Sequence, residues 1–243
     1  MPKAWLCIPS ARPDGGTIGL WLKQGYGVAV FRNKNAPLVV ADIATEGDYS
    51  GYAQAVNGLV RTVLNFDHEC EFVIAAGDDI EPDFNIRPDV IAAQCIKHFS
   101  GTFGVMQPTA DRWGDTPRSR QMYGENRGAY IDRVCGSAWI GREFATRMYQ
   151  GNGPLWPEFE HMYVDEHLQC VAEKLGVLWQ RSDLIQLHRH WGRGPEGADN
   201  KPGEVAQIPD FLRRVNSPEH WRKAKAIFDR LKAGGFAEAN GLL

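Results

Sequence analysis

Apolar and polar positions alternate along the first half of the chain in two rhythms. Short apolar runs, "AWLCI" (4–8), "YGVAVF" (26–31), "PLVVAD" (37–42) and "FVIAA" (72–76), have the length of buried strands and are bounded by turn residues. Between them lie segments of helical spacing. "TIGLWLKQG" sets Ile18, Trp21 and Leu22 on one face, and "SGYAQAVNGLVRTVLN" does the same with Tyr52, Val56, Leu59, Val60 and Val63. Such alternation predicts an α/β fold, a doubly wound and mostly parallel sheet flanked by helices.

The second half continues the pattern less regularly. "RPDVIAAQCIKHF" predicts a helix and "TFGVMQ" a strand; residues 109–130 are then polar and without period, the composition of a functional loop. "DRVCGSAWIGREFATRMY" predicts strand, turn and helix, and "YVDEHLQCVAEKLG" a helix closed by Gly176. "VLWQ" and "LIQL" predict two short strands before a second polar stretch, "HRHWGRGPEGADNKPGE". Ser217-Pro218 opens a last helix, serine as N-cap and proline in the first turn, with Trp221, Ala224, Ile227, Phe228 and Leu231 as its apolar stripe.

Composition narrows the functional classes. The 243 residues are 43% hydrophobic and 23% charged, with a formal net charge of −3, so no global charge recommends nucleic acid or an anionic membrane. The five cysteines form no CxxC pair, which argues against a zinc ribbon or a disulfide framework and for reduced thiols. No run reaches membrane-spanning length and the N-terminus lacks a signal-peptide pattern; the expectation is a soluble, cytoplasmic protein without membrane insertion.

Three polar constellations carry candidate chemistry. The strand "FVIAA" runs into Asp78, Asp79, Glu81 and Asp83; Asp165-Glu166 begins a helix; His188-Arg189-His190 follows a strand. Each has a plain explanation alone, as an acidic turn, a helix-dipole pair or surface histidines. Together, carboxylates with an imidazole suit Mn²⁺, or Mg²⁺ with water replacing the nitrogen. A further carboxylate not committed to metal can serve as general base. Open α/β sheets take their ligands at the carboxyl ends of the strands.

The order of these parts, "IPSARP", Asp42, "GYAQAVNGLVRTVL", "VIAAGDDIEPD", "CGSAWIGREF", "YVDEHL" and "HRHWGRG", resembles the GT-A-fold glycosyltransferases over residues 3 to 195. The resemblance implies a Rossmann-type sheet with a C-terminal helix in a single domain. Its nucleotide-binding half would span residues 1–108, its acceptor and catalytic half 109–209, and a helical extension 210–243. It implies a nucleoside diphosphate sugar, such as a UDP-sugar, as donor and Mn²⁺ or Mg²⁺ as cofactor. In the family's DxD motif the first acidic position is here Gly77, leaving Asp79 as metal ligand and Asp78 for the ribose or a metal-bound water. Pro9, Ser10, Arg12, Asp42, Gly136 and Ser137 map to the donor site, and Arg118, Arg120 and Arg127 to a lid over the diphosphate. The acidic pair maps to Asp165 and Glu166, one of them the base of an inverting transfer, with motif position leaning to Glu166. The late metal-binding histidine maps to His188 or His190.

The acceptor stays open between a saccharide, a small molecule and modified DNA. An ending similar to that of phage-encoded members and a basic last helix (Arg213, Arg214, Arg222, Lys223, Lys225, Arg230, Lys232) would suit the last of these, although a solvated helix face is the default explanation of the charges. A nucleotidyltransferase would share the sheet and the metal, but "PSARPDGG" lacks the lysine expected in its first loop. A non-catalytic nucleotide-sugar-binding module would need no base on the later helix.

Overall fold

The computed structural model describes residues 3–10, 15–34, 40–111, 136–189 and 210–239. Among the described residues seven strands form one sheet: β1 (Ala4–Pro9), β2 (Gly27–Asn33), β3 (Ile43–Gly47), β4 (Phe72–Ala75), β5 (Val105–Pro108), β6 (Ala138–Gly141) and β7 (Leu178–Arg181). Their order is β3-β2-β1-β4-β6-β5-β7. Only β6 runs against the others, lodged between β4 (Ala75 opposite Ala138) and β5 (Met106 opposite Trp139). The expected mostly parallel, helix-flanked α/β sheet is present, and its carboxyl edge gathers the ends of β1, β4, β5 and β7 with the start of β6.

Period-two alternation along the strands explains how both faces are covered. Ala4, Leu6 and Ile8 face one core with Phe72, Ile74 and Trp139, under α1 (Ile18–Gln24) and α3 (Pro88–Phe99). Trp5, Cys7, Val73, Ala75 and Ile140 face the other core. That face is covered by α2 (Tyr52–Phe66), α4 (Arg142–Arg147), α5 (Val164–Lys174) and residues of α7 (Pro218–Ala233). A short helix, α6 (Asp210–Val215), precedes α7. The Ser217 hydroxyl accepts the His220 N–H at the start of α7, as its sequence predicts. No helix of the described residues is long and apolar enough to cross a membrane. Cys7, Cys70, Cys95 and Cys170 are free thiols, the first three buried; Cys135 lies outside the described residues.

Two strand expectations need correction. "PLVVAD" does not end a strand at Asp42: β3 starts after it, at Ile43, so Asp42 stands at the amino edge of the sheet. There its carboxylate accepts the Val28 N–H at 2.9 Å, a structural task. "LIQL" is not a strand either; its backbone is spent on loop contacts, described next.

Candidate active site at the carboxyl edge

The acidic run after β4 divides into two pairs with different work. Asp83 is buried, and its carboxylate accepts the Asn85 N–H (2.8 Å) and the Ile185 N–H (3.0 Å). Glu81 accepts a two-pronged contact from Arg189, at 3.0 and 3.2 Å. Both fasten the loop after β7 onto the turn after β4. Backbone bonds complete the clasp: Glu81 N–H to Leu187 C=O (2.9 Å) and Arg189 N–H to Asp79 C=O (2.7 Å), with Ile80 paired to His188. From below, Thr17 Oγ1 and Trp21 Nε1 both donate to the Ile80 carbonyl, at 2.5 and 2.7 Å.

This clasp leaves Asp78 and Asp79 for the rim. Ser10, just past β1, donates its hydroxyl to Asp78 Oδ2 at 2.6 Å while its amide donates to Phe31 C=O. Pro9, the last residue of β1, pairs with Phe31 in the same edge. Asp79 Oδ2 lies 3.3 Å from His188 Nε2. Gly77 explains part of this arrangement, because a Cβ there would lie 2.6 Å from Asp79 Oδ1. The missing first acid of the motif is thus space for the carboxylate two residues on. Gly136 lies beside His188, whose Nδ1 would be in ordinary contact with an added Cβ at 3.8 Å. Ser137 is buried; with its amide suitably oriented, Gln186 donates to Ser137 Oγ (2.7 Å) and accepts from Trp139 Nε1 (2.9 Å).

The third segment arrives on α5. Burial pushes the Asp165 carboxyl up to about 7; the neighbouring Glu166 charge adds to the rise and His188 opposes it. Asp165 is therefore within electrostatic reach of His188, and Glu166 bears on both Asp165 and Tyr163. Tyr52, at the start of α2, donates its hydroxyl to Ala76 C=O (3.1 Å); burial raises its pKa well above the ordinary range, with Asp165 and Asp79 contributing. His161 stands close enough to Asp79 to feel its charge, yet burial dominates and lowers its pKa. Asp79 and His188, far apart in sequence, thus meet at one edge beside Ser10 and Asp78, with Asp165 within electrostatic reach. Asp42 is not among them, and Arg12, His190, Arg118, Arg120 and Arg127 lie outside the described residues. Tyr52 and His161 carried no chemical signal in the sequence: one reads as an apolar helix position, the other as a lone loop histidine.

A cation fits the Asp79–His188 pair. Donor atoms about 2.1 Å from an octahedral ion lie about 3 Å from each other, close to the 3.3 Å between Oδ2 and Nε2. One carboxylate oxygen and one imidazole nitrogen suit Mn²⁺ chemically. Among the described residues no group of three His, Cys, Asp or Glu side chains is assembled to hold an ion, so further positions would fall to water and to phosphate oxygens of a ligand.

No family model and no curated protein matches the chain. Among solved structures it is similar to the catalytic domain of a Drosophila β1,4-galactosyltransferase 7 solved with xylobiose, at 11% identity and a TM-score of 0.47, over 86% of this chain and 79% of that one. It is also similar to Mycobacterium tuberculosis glucosyl-3-phosphoglycerate synthase, at 14% identity and a TM-score of 0.41, over 74% and 69% of the two chains. The chemistry of the site rests on its own side chains.

Proposed function

We propose that the protein is a metal-dependent glycosyltransferase that moves a sugar from a nucleoside diphosphate sugar to an acceptor hydroxyl with inversion. The observation that carries this reading is the 3.3 Å Asp79–His188 pair, fit for a cation, with a carboxyl poised near pH 7 on α5 within electrostatic reach of it. In this reading Asp79 and His188 hold Mn²⁺ or Mg²⁺, which when bound supplies positive charge for the departing diphosphate. Ser10 and Asp78 border the donor, their hydrogen bond fixing the Asp78 carboxylate at the rim.

Asp165 is the base. A carboxyl of pKa near the working pH holds a useful fraction of anion and still has driving force to take a proton. As the acceptor oxygen forms its bond to the anomeric carbon, the bond to the diphosphate oxygen breaks and the hydroxyl proton passes to Asp165. The nucleoside diphosphate leaves with the bonding electron pair. Glu166 bears on Tyr163 and raises the affinity of Asp165 for its proton; the two carboxylates divide the work. A module that only bound nucleotide sugars would gain nothing from a half-buried, charge-strained carboxyl at this place.

The test separates binding from turnover. Melting temperature is measured with Mn²⁺ and a panel of nucleoside diphosphate sugars, since a ligand of the native state raises it. Asp79→Asn is expected to lose the cation-dependent donor shift, and Asp165→Asn to keep it while losing turnover by at least about a hundredfold. Wild-type protein that neither binds nor hydrolyses any such donor in the presence of Mn²⁺ would refute the reading.

A further inference from the structure

The last helix meets α5 at the point where α5 begins. Tyr163, the residue before α5, has φ 64° and ψ 3°. That left-handed conformation is uncommon for a bulky residue, and strain of this kind persists only where the surroundings impose it. Helices commonly start on an extended serine, threonine, aspartate or asparagine whose side chain accepts a backbone N–H. Tyr163 makes no such cap. What holds it lies outside α5: its ring meets Trp221 edge-on at 5.4 Å and Phe228 at 5.3 Å, two turns apart on α7.

The attachment continues on either side of this contact. The loop leading into Tyr163 is joined to α7 by Lys223 to Glu160 at 2.6 Å and Arg230 to Glu158 at 2.7 Å. Beyond α7 the chain turns through Gly235 (φ 61°) and Phe236 (φ 52°) and folds back onto α5. There Glu238 accepts a hydrogen bond from Nε2 of the buried His167 at 2.7 Å, and the Phe236 ring packs on the His167 ring at 5.6 Å. Lys174, the last residue of α5, donates to the Gly235 and Phe236 carbonyls at 2.6 and 2.9 Å. The start, the middle and the end of α5 are thus all held by the last helix and the turn after it.

Packing for stability alone does not explain the choice of residues. Glycine adopts a left-handed turn without strain, so a tyrosine at position 163 is present for its ring. Trp221 is still 37% exposed, so the contact buries less apolar surface than a core pair would. Its consequence is geometric. Asp165 is the second residue of α5, and a change of backbone at Tyr163 swings the first turn that carries it. A reacting group misplaced by ~1 Å can cost about a hundredfold in rate.

We propose that Tyr163 and Trp221 are positioning residues, whose ring contact holds the left-handed turn that aims the first turn of α5, and with it Asp165, at the acceptor hydroxyl; this rests on the glycosyl-transfer reading above. Release of nucleoside diphosphate, with water as acceptor, is followed in Trp221→Ala and Trp221→Phe with Mn²⁺ and the nucleoside diphosphate sugar that gives the largest thermal shift. Trp221→Ala is expected to lower kcat at least about tenfold while donor KM and the donor's thermal shift stay within about twofold, and Trp221→Phe to recover most of the loss. Hydrogen exchange adds a readout that general loosening would not give. The His167 amide, which donates to Tyr163 C=O at 3.0 Å, should exchange faster in Trp221→Ala while the amides of β4 do not. Trp221→Leu serves if the alanine variant does not fold. An unchanged kcat in the folded variant, donor binding lost in step with kcat, or faster exchange in β4 as well overturns the inference and leaves the transfer reading standing. A wild type that neither binds nor hydrolyses any donor removes both.

Discussion

Asp165→Asn is expected to make the protein more stable above neutral pH, and the gain should vanish in acid. The carboxyl pKa goes from an ordinary 3.8 to about 7 in the folded chain. Between those values the native state holds a proton that the unfolded chain releases, so unfolding free energy falls as pH rises. Stability is fullest below about pH 4 with respect to this group and is lost as pH passes through 7. About three units at ~1.4 kcal/mol each set a ceiling of about 4 kcal/mol. Because the side chain is only partly buried, a gain of about 2–4 kcal/mol is expected for the neutral asparagine at pH 8. For a chain of this length that is about 4–8 °C in melting temperature. The assay is thermal unfolding of both proteins from pH 4 to pH 8 in the presence of a chelator. An asparagine variant no more stable at pH 8, or one whose gain is the same at both ends, refutes the placement of a strained carboxyl on α5.

Other substitutions test other links. Asp83→Ala removes the acceptor for two backbone N–H groups and should cost about 3 kcal/mol in urea unfolding, with Asp83→Asn recovering part of it. Gly51→Ala should destabilise by about 2–3 kcal/mol, because the residue sits at φ 138° and its Cβ would lie 2.9 Å from Glu160 Cα; chemical denaturation reads it. His188→Ala should weaken Mn²⁺ binding, read by calorimetry, at least about tenfold, while His188→Gln, which offers one neutral donor atom, restores part of it. Arg189→Ala should loosen the clasp on Glu81 and lower cation affinity without removing a ligand, a smaller effect in the same titration.

Much of this architecture was legible where periodicity was strong. α2 and α5 bury most of the residues their spacing selects, whereas the last helix buries Ala224 and Leu231 and leaves Trp221 exposed; the β1 and β4 runs are apolar because both faces of a central strand are covered. β3 was misread because an edge strand is half exposed: "IATEG" alternates weakly, and the more apolar "PLVVAD" beside it drew the boundary and carried Asp42 with it. The resemblance set Asp78 and Asp79 apart within the acidic run but gave Glu81 and Asp83 no role, and nothing local marks Asp83 as an acceptor for Ile185, a hundred residues away. The preference for Glu166 over Asp165 came from motif position; which of the two serves depends on tertiary placement, where Asp165 lies within electrostatic reach of His188. His161 was invisible because its meaning depends on Asp79 and Tyr52, neither of them near it in the chain.

The insertion of β6 between β4 and β5 has a consequence for how this chain comes off the ribosome. When residue 108 has emerged, β4 and β5 both exist but lack the strand that will join them, and two apolar edges wait for a segment thirty positions later. Sheet completion is a non-local event, slow by nature and open to wrong pairing in the interval. The loop bearing His188 can clasp the Asp79 turn only after β7 has docked on β5. Nascent or truncated chains therefore carry the acids of the rim without their imidazole, and competence arrives in a single late step.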